Sequence, residues 1–244
     1  MFTKIAIIGT GNVGTWLFQT LQNQNNLEVH SFLSRNIETL PANFDLFIFA
    51  LKDDVYEEVL KQIQFKMPHA VHTSGSLSQN ILAPYSENFG VIYPYQSITN
   101  AEKQKGRKAE LIIPLCIEAN NPTFEDLLFQ WANSIFNLIY KVDEKQRFAM
   151  HLAAVFANNF TNAMYNIAYQ IFKENDLDWP LIFPLLENTL EKAKHNTPHL
   201  VQTGPAARND VSIMEKHCNT LKDEDLRNLY ELISKIISKN AINH

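Results

Sequence analysis

Three residues are the candidate catalytic group of this chain: His151 and Tyr93, whose side chains can move a proton at a reacting centre, and Asn158, whose amide can hydrogen-bond a substrate there. Histidine changes charge near neutral pH, so it can give or accept a proton under working conditions. Tyrosine donates one only with help from its surroundings, because its ordinary pKa is about 10. His151, Val155, Asn158, Asn159 and Asn162 fall at i, i+4, i+7, i+8 and i+11, one broad face of a helix. Polar groups on an otherwise apolar face need partners if they are buried. Two readings are open: contact with a bound substrate, or hydrogen bonds between helices in an oligomer core. Tyr93-Pro94-Tyr95-Gln96-Ser97 follows an apolar run. Tyr93 and Gln96 are placed to touch a substrate there; the competing reading is an aromatic packed at a domain junction.

A second constellation lies at the N-terminus, where Ile5-Ala6-Ile7-Ile8 runs into Gly9-Thr10-Gly11-Asn12-Val13-Gly14 and leaves through Trp16, Leu17 and Phe18. The spacing is G-x-G-x-x-G after a strand and before a helix. Gly9 permits the tight turn, Gly11 a close approach to a pyrophosphate, and Gly14 close packing of helix on strand. The helix then offers unpaired N–H groups to phosphates. The competing reading is a glycine-rich turn with no ligand. About 20 residues further on, a dinucleotide site reads the ribose. NAD sites usually carry an acidic residue there; this chain has Phe32-Leu33-Ser34-Arg35-Asn36. Ser34 and Arg35 suit a 2′-phosphate, so NADP is expected over NAD; otherwise Arg35 is an ordinary surface residue. Leu51, at the end of the third apolar run, is expected to flank the cofactor.

His72-Thr73-Ser74-Gly75-Ser76 follows the fourth apolar run. Its hydroxyls and the Gly75 backbone are suited to holding nicotinamide or substrate, with Ser74 toward the cofactor and Ser76 toward the substrate. Ser76 has an alternative role as the cap of a helix at 79–82. Without a G-x-S-x-G elbow, a serine nucleophile is not expected. In Thr203-Gly204-Pro205-Ala206-Ala207-Arg208-Asn209-Asp210, Arg208 either binds an anionic substrate group or pairs with Asp210 or a helix end. No spacing suggests a metal site, and no carboxylate pair suggests an acid–base couple.

The elements that must position these residues change in kind along the chain. Apolar runs at 4–8, 28–33, 46–51, 70–73, 90–93, 111–117 and 137–142 read as strands alternating with helical patterns. Val55, Val59, Leu60 and Ile63 form one such pattern, with Asp53 and Asp54 placed to cap it. Alternation of this sort predicts an α/β fold with a doubly wound, mostly parallel sheet. After Asp143 only helical patterns follow: the His151 face, 181–195 with Pro180 in its first turn, and a stripe of Leu226, Leu229, Tyr230, Ile233, Ile236 and Ile237. The expected domains are 1–142 and an all-α 143–244.

With 244 residues, 45% hydrophobic, the chain is long enough for a sizeable core. A net charge of −5 argues against a nucleic-acid partner. Cys116 and Cys218 are far apart in no metal-type spacing, which fits a reducing cytoplasm. The first apolar run breaks at Gly9, too early for a signal peptide, and no run approaches the roughly 20 residues of a membrane span. A cytoplasmic protein is expected.

Taken together, the glycine motif, Ser34-Arg35, the 45–54 segment and His72–Ser76 resemble the NADP-binding Rossmann domain of pyrroline-5-carboxylate reductases and deazaflavin-dependent NADP oxidoreductases. Tyr93–Ser97, His151–Asn159 and Thr203–Asp210 resemble a narrower group, provisionally named NADP oxidoreductases, that joins such a domain to a helical domain of unknown function. In the related β-hydroxyacid dehydrogenases a catalytic lysine stands three residues before an Asn-Asn pair. Here Asn158-Asn159 is present, but Val155 occupies the lysine position. The resemblance therefore leaves three possibilities: His151 as the acid, an imine reduction that needs no lysine, or no catalysis. It implies an NADP-dependent oxidoreductase acting on a C=O or C=N group of a small metabolite. Substrate is expected in a cleft between the domains, near Ser74, Tyr93, Gln96, His151 and Asn159. A homodimer is implied because related reductases bury such helices between subunits. The rival is an NADP-binding sensor without turnover, and a deazaflavin partner stays open.

Overall fold

Alternate residues of the first strand face opposite layers, and that alternation builds the N-terminal architecture. Ile5 and Ile7 of β1 (Lys4–Ile8) pack with Leu17 and Leu21 of α1 (Asn12–Gln22) and with Phe124, Leu128 and Trp131 of α3 (Pro122–Asn133). Ala6 and Ile8 face the other layer, with Phe47, Phe49, Tyr56, Leu60 and Leu82. A strand covered on both sides must be apolar throughout, which is why Leu46-Phe47-Ile48-Phe49 carries no polar residue.

The structure is a computed structural model and describes residues 1–99 and 112–242. It contains two compact units, Met1–Met164 and Tyr165–His244. In the first, β1, β2 (Glu28–Phe32), β3 (Leu46–Phe49), β4 (Met67–His72), β5 (Ser86–Pro94), β6 (Leu115–Ala119) and β7 (Ile139–Lys141) form one sheet, in the order β2-β1-β3-β4-β5-β6-β7. Pairing is parallel except between β5 and β6, which run antiparallel. This is the expected mostly parallel, Rossmann-like α/β sheet. Strand order reverses between β1 and β3, and their carboxyl ends open the crevice where such sheets bind ligands.

Element ends differ from the sequence expectation in explicable ways. The run at 28–33 stops at Phe32 because Ser34–Thr39 turns into a 3-10 helix. The run at 90–93 grows to Ser86–Pro94 because Ser86 pairs with Met67 at the start of β4. The run at 111–117 shifts to Leu115–Ala119, and Leu111 lies outside the described residues. Asp53 and Asp54 do not cap the helix after β3. Both sit in a 3-10 turn, Asp53–Val55, before α2 (Tyr56–Leu60), and neither side chain caps a backbone N–H.

A capping box opens α4 (Glu144–Ala154): Gln146 N–H donates to Asp143 Oδ1 at 2.7 Å, and Asp143 N–H donates to Gln146 Oε1 at 3.0 Å. A π-helix, Val155–Phe160, and then α5 (Thr161–Glu174) follow. The change of composition near Val142 marks the end of the sheet at Lys141. The compact units part later, after Met164, and α4 stays with the sheet through the buried Arg147 described below.

In the second unit, Trp179 sits in a 3-10 turn with Pro180 and makes edge contacts with Tyr169, Phe172 and Phe183. The helix expected from 181 begins at Phe183 as α6 (Phe183–His195), with Pro184 in its first turn. His217 of α7 (Val211–Thr220) bonds Tyr230 of α8 (Glu224–Ile242) at 2.8 Å, and Ser238 Oγ donates to Ala206 O. Among the described residues no strand follows β7, both cysteines are free, and no helix is long and apolar enough to cross a membrane.

Candidate functional site

The glycine stretch forms the turn from β1 into α1. Gly9 has φ +113, and a Cβ there would lie 2.2 Å from Ala50 O, so only glycine fits. Its N–H donates to Phe32 O at 2.9 Å, which brings the end of β2 beside the turn. A Cβ on Gly14 would meet Gly9 O at 1.9 Å: helix and strand touch through backbone. Gly11 differs. It is exposed, it is the N-cap of α1 with no side-chain cap, and a Cβ there would meet nothing within 4 Å. The fold therefore does not require glycine at Gly11, but a phosphate approaching the first turn of α1 would. Thr15 Oγ1 donates to Thr10 O at 3.2 Å and braces the turn, leaving Thr10, Gly11 and Asn12 exposed. The side chain of Leu51 flanks Gly9. Ser34 and Arg35 open the 3-10 helix after β2, with Arg35 exposed. The residues here that could hold a dinucleotide are Gly11 and Val13, at a pyrophosphate, and Ser34 and Arg35, at an adenosine ribose.

Val13 also lines a cavity of about 390 Å³, whose other walls are Thr73, Tyr93–Ser97, His151, Ala154, Val155, Ala157, Asn158 and Asn159. The fold thus brings Tyr93, Gln96, His151, Asn158 and Asn159 to one space. Tyr93 OH lies 3.0 Å from His151 Nδ1, with the rings edge to face at 5.9 Å. Burial, together with Tyr95 and Cys116, pushes the Tyr93 phenol up to about 12. At neutral pH Tyr93 keeps its proton, and it donates to Nδ1 in the His151 tautomer that leaves Nδ1 bare. A neutral His151 so bonded carries its own proton on Nε2. Gly75 forms the floor beneath the pair: a Cβ there would lie 2.6 Å from His151 Nδ1 and 2.9 Å from Tyr93 Cζ. Asn158 and Asn159 sit on the π-helix, a local widening that often marks functional sites.

Ser74, Ser76 and Arg208 are not brought to that cavity. Ser74 Oγ accepts from the N–H groups of Ser76 at 3.1 Å and Leu77 at 3.0 Å, closing the loop on itself. Ser76 donates to Asp53, so its hydroxyl ties this loop to the 3-10 turn after β3. The cap of the 3-10 helix Gln79–Leu82 is Ser78, not Ser76. Arg208 belongs to the second unit, exposed in a turn, and makes no ion pair with Asp210 among the described residues.

Sequence reasoning missed the polar framework beneath the cavity. Arg147 is completely buried. Its Nε donates to Glu118 Oε2 at 2.9 Å, Nη1 to Ser74 O at 3.0 Å and Nη2 to Leu77 O at 2.8 Å. Burial pushes the Glu118 carboxyl up, against the pull of the guanidinium. His72 is also buried; burial, with Arg147 nearby, holds its imidazole down at about 4, so it is neutral. Its Nδ1 accepts from Ser74 N–H at 3.2 Å, and its Nε2 has no hydrogen-bond partner. One signal for Arg147 was available: it stands four residues before His151 on the same helix face.

Fold and site define a Rossmann-like α/β protein with a helical C-terminal region. A family model described as a domain of unknown function, DUF2520, matches residues 113–237, and the chain belongs to that family. A Bacteroides fragilis protein provisionally named an NADP oxidoreductase is 30% identical, with TM-score 0.85 over 97% of this chain and 98% of that one. A Streptomyces aurantiacus imine reductase has TM-score 0.65 at 14% identity, covering 99% of each chain. A 1-pyrroline-5-carboxylate reductase from Streptococcus pyogenes has TM-score 0.57 at 15% identity, covering 99% of this chain and 98% of that one. At those lower identities the likeness is one of fold. Comparison with curated proteins gives no match.

Proposed function

We propose that this protein is an NADP-dependent reductase acting on a C=O or C=N group of a small metabolite. One observation carries the reading: the Tyr93–His151 pair lies in a cavity that Val13 of the glycine turn also lines. The nicotinamide, when bound, supplies the hydride. The protein's residues hold and orient. Gly11 and the first turn of α1 take the pyrophosphate; Ser34 and Arg35 take the 2′-phosphate; Leu51 flanks the adenosine side. Asn158, Asn159 and Gln96 present amides to the substrate. His151 holds a proton on Nε2, and Tyr93 fixes that tautomer through Nδ1. A carbonyl needs such a donor as its oxygen gains charge; a protonated imine does not. The provisional name of the Bacteroides fragilis relative supports the same chemistry.

The rival is an NADP-binding sensor without turnover. Val155 at the position of the related dehydrogenases' lysine favours it; the proton-holding pair in the cavity opposes it. A screen of aldehydes, ketones and cyclic imines, read as NADPH consumption, separates the two. Turnover of any of them supports the enzyme, with loss in His151→Ala and Tyr93→Phe expected for carbonyl substrates; no turnover with bound NADPH supports the sensor.

The functional form is a homodimer, with no nucleic-acid partner. Phe148, Leu152, Phe156 and Phe160, spaced four apart along α4 and the π-helix, are 52, 50, 62 and 49% exposed in the single chain. Large apolar side chains in such a row mark an interaction surface.

A further inference from the structure

We infer that Arg147 is the positioning residue of the site: one buried guanidinium sets both the floor and the wall against which His151 meets Tyr93. This rests on the reading of that pair as the proton-handling groups.

His151 stands one helical turn after Arg147, so their side chains share a face of α4. Arg147 Nη1 and Nη2 hold the carbonyls of Ser74 and Leu77. The segment between those carbonyls contains Gly75, whose Cα is the surface on which His151 Nδ1 and Tyr93 rest. The guanidinium thus fixes the loop and the helix to each other at the point where the pair meets. Its third arm, Nε, ties both to Glu118 on β6, the strand beside Tyr93's β5. The planar fork serves three acceptors in three directions, which a lysine ammonium on a flexible stem cannot reproduce. The chemistry of the contacts argues against a merely space-filling role. A buried ion pair is an expensive way to fill volume, and apolar residues of similar size often serve as well. Here two of the three acceptors are backbone carbonyls of a single loop, so what the charge secures is the position of that loop.

The test uses the full-length chain labelled with 15N-histidine. Tyr93→Phe defines the His151 imidazole signals and titration midpoint when the Nδ1 bond is lost. Two variants remove the fork while treating the charge differently: Arg147→Lys, and the paired Glu118→Leu/Arg147→Met, which leaves no unpaired buried charge. Thermal melting and NADPH titration report the fold and the cradle. The inference predicts that at least one variant folds and binds NADPH within about twofold of wild type. In it, His151 signals move to the Tyr93→Phe positions. Wild-type His151 signals in a folded variant overturn it. Failure of both variants to fold also overturns it, because the guanidinium then serves the fold alone. If wild type binds no NADPH, the reductase reading falls, while the His151 signals still decide this point.

Discussion

Gly9 and Gly11 are two residues apart and should respond to the same substitution in opposite ways. Gly9→Ala forces a Cβ into Ala50 O at φ +113 and should lose the folded first unit. Gly11→Ala meets only open space, so its melting temperature should stay near wild type while NADPH affinity falls at least tenfold, measured by nicotinamide fluorescence. Equal loss of stability in both would make the segment a structural turn. His72 gives a pH prediction. Its folded pKa of about 4 lies below the ordinary 6.5, so the folded state excludes a proton that the unfolded chain accepts. The stabilising effect is complete above pH 6.5 and lost as pH falls toward 4, a change of about 3 kcal/mol. His72→Gln should flatten that part of the stability–pH curve in urea unfolding; an unchanged curve contradicts the assignment. The glycines were legible because their requirement is local. The partners of Ser74 and Ser76 were not legible because a hydroxyl's partner is chosen by the fold: Ser74 bonds N–H groups of its own loop and Ser76 bonds Asp53.

At the scale of elements, α4 carries His151 and is held at two points. The capping box fixes its start, and Asp143→Ala should cost about 1 kcal/mol in urea unfolding. Arg147 fixes its middle, so Glu118→Ala, which strands the guanidinium, should cost about 3–5 kcal/mol by the same measurement. A cost below 1 kcal/mol would mean the pair is not buried as described. Most of the sheet was legible because strands covered on both faces must be apolar throughout, as β3 is. The antiparallel turn of β6 was not, since an apolar run carries no direction. Arg147 escaped notice because an arginine on a helix usually faces water, and two of its partners are carbonyls that every residue has. The π-helix was hidden because its 6 residues are too few for its wider period to show against that of the flanking α-helices.

For the whole molecule, the apolar row from Phe148 to Phe160 predicts a dimer in sedimentation velocity, and Phe156→Asp should shift it to monomer while NADPH binding survives. A wild-type monomer would remove the homodimer from the account. The central claim is that the glycine turn holds NADP, and the most direct measurement is titration of wild type and Arg35→Ala with NADPH and NADH. The account predicts NADPH binding at least tenfold tighter than NADH, with Arg35→Ala removing about 1–3 kcal/mol of that preference. If neither nucleotide binds at millimolar concentration, the stretch from Gly9 to Gly14 is only a turn, and the oxidoreductase reading falls with it.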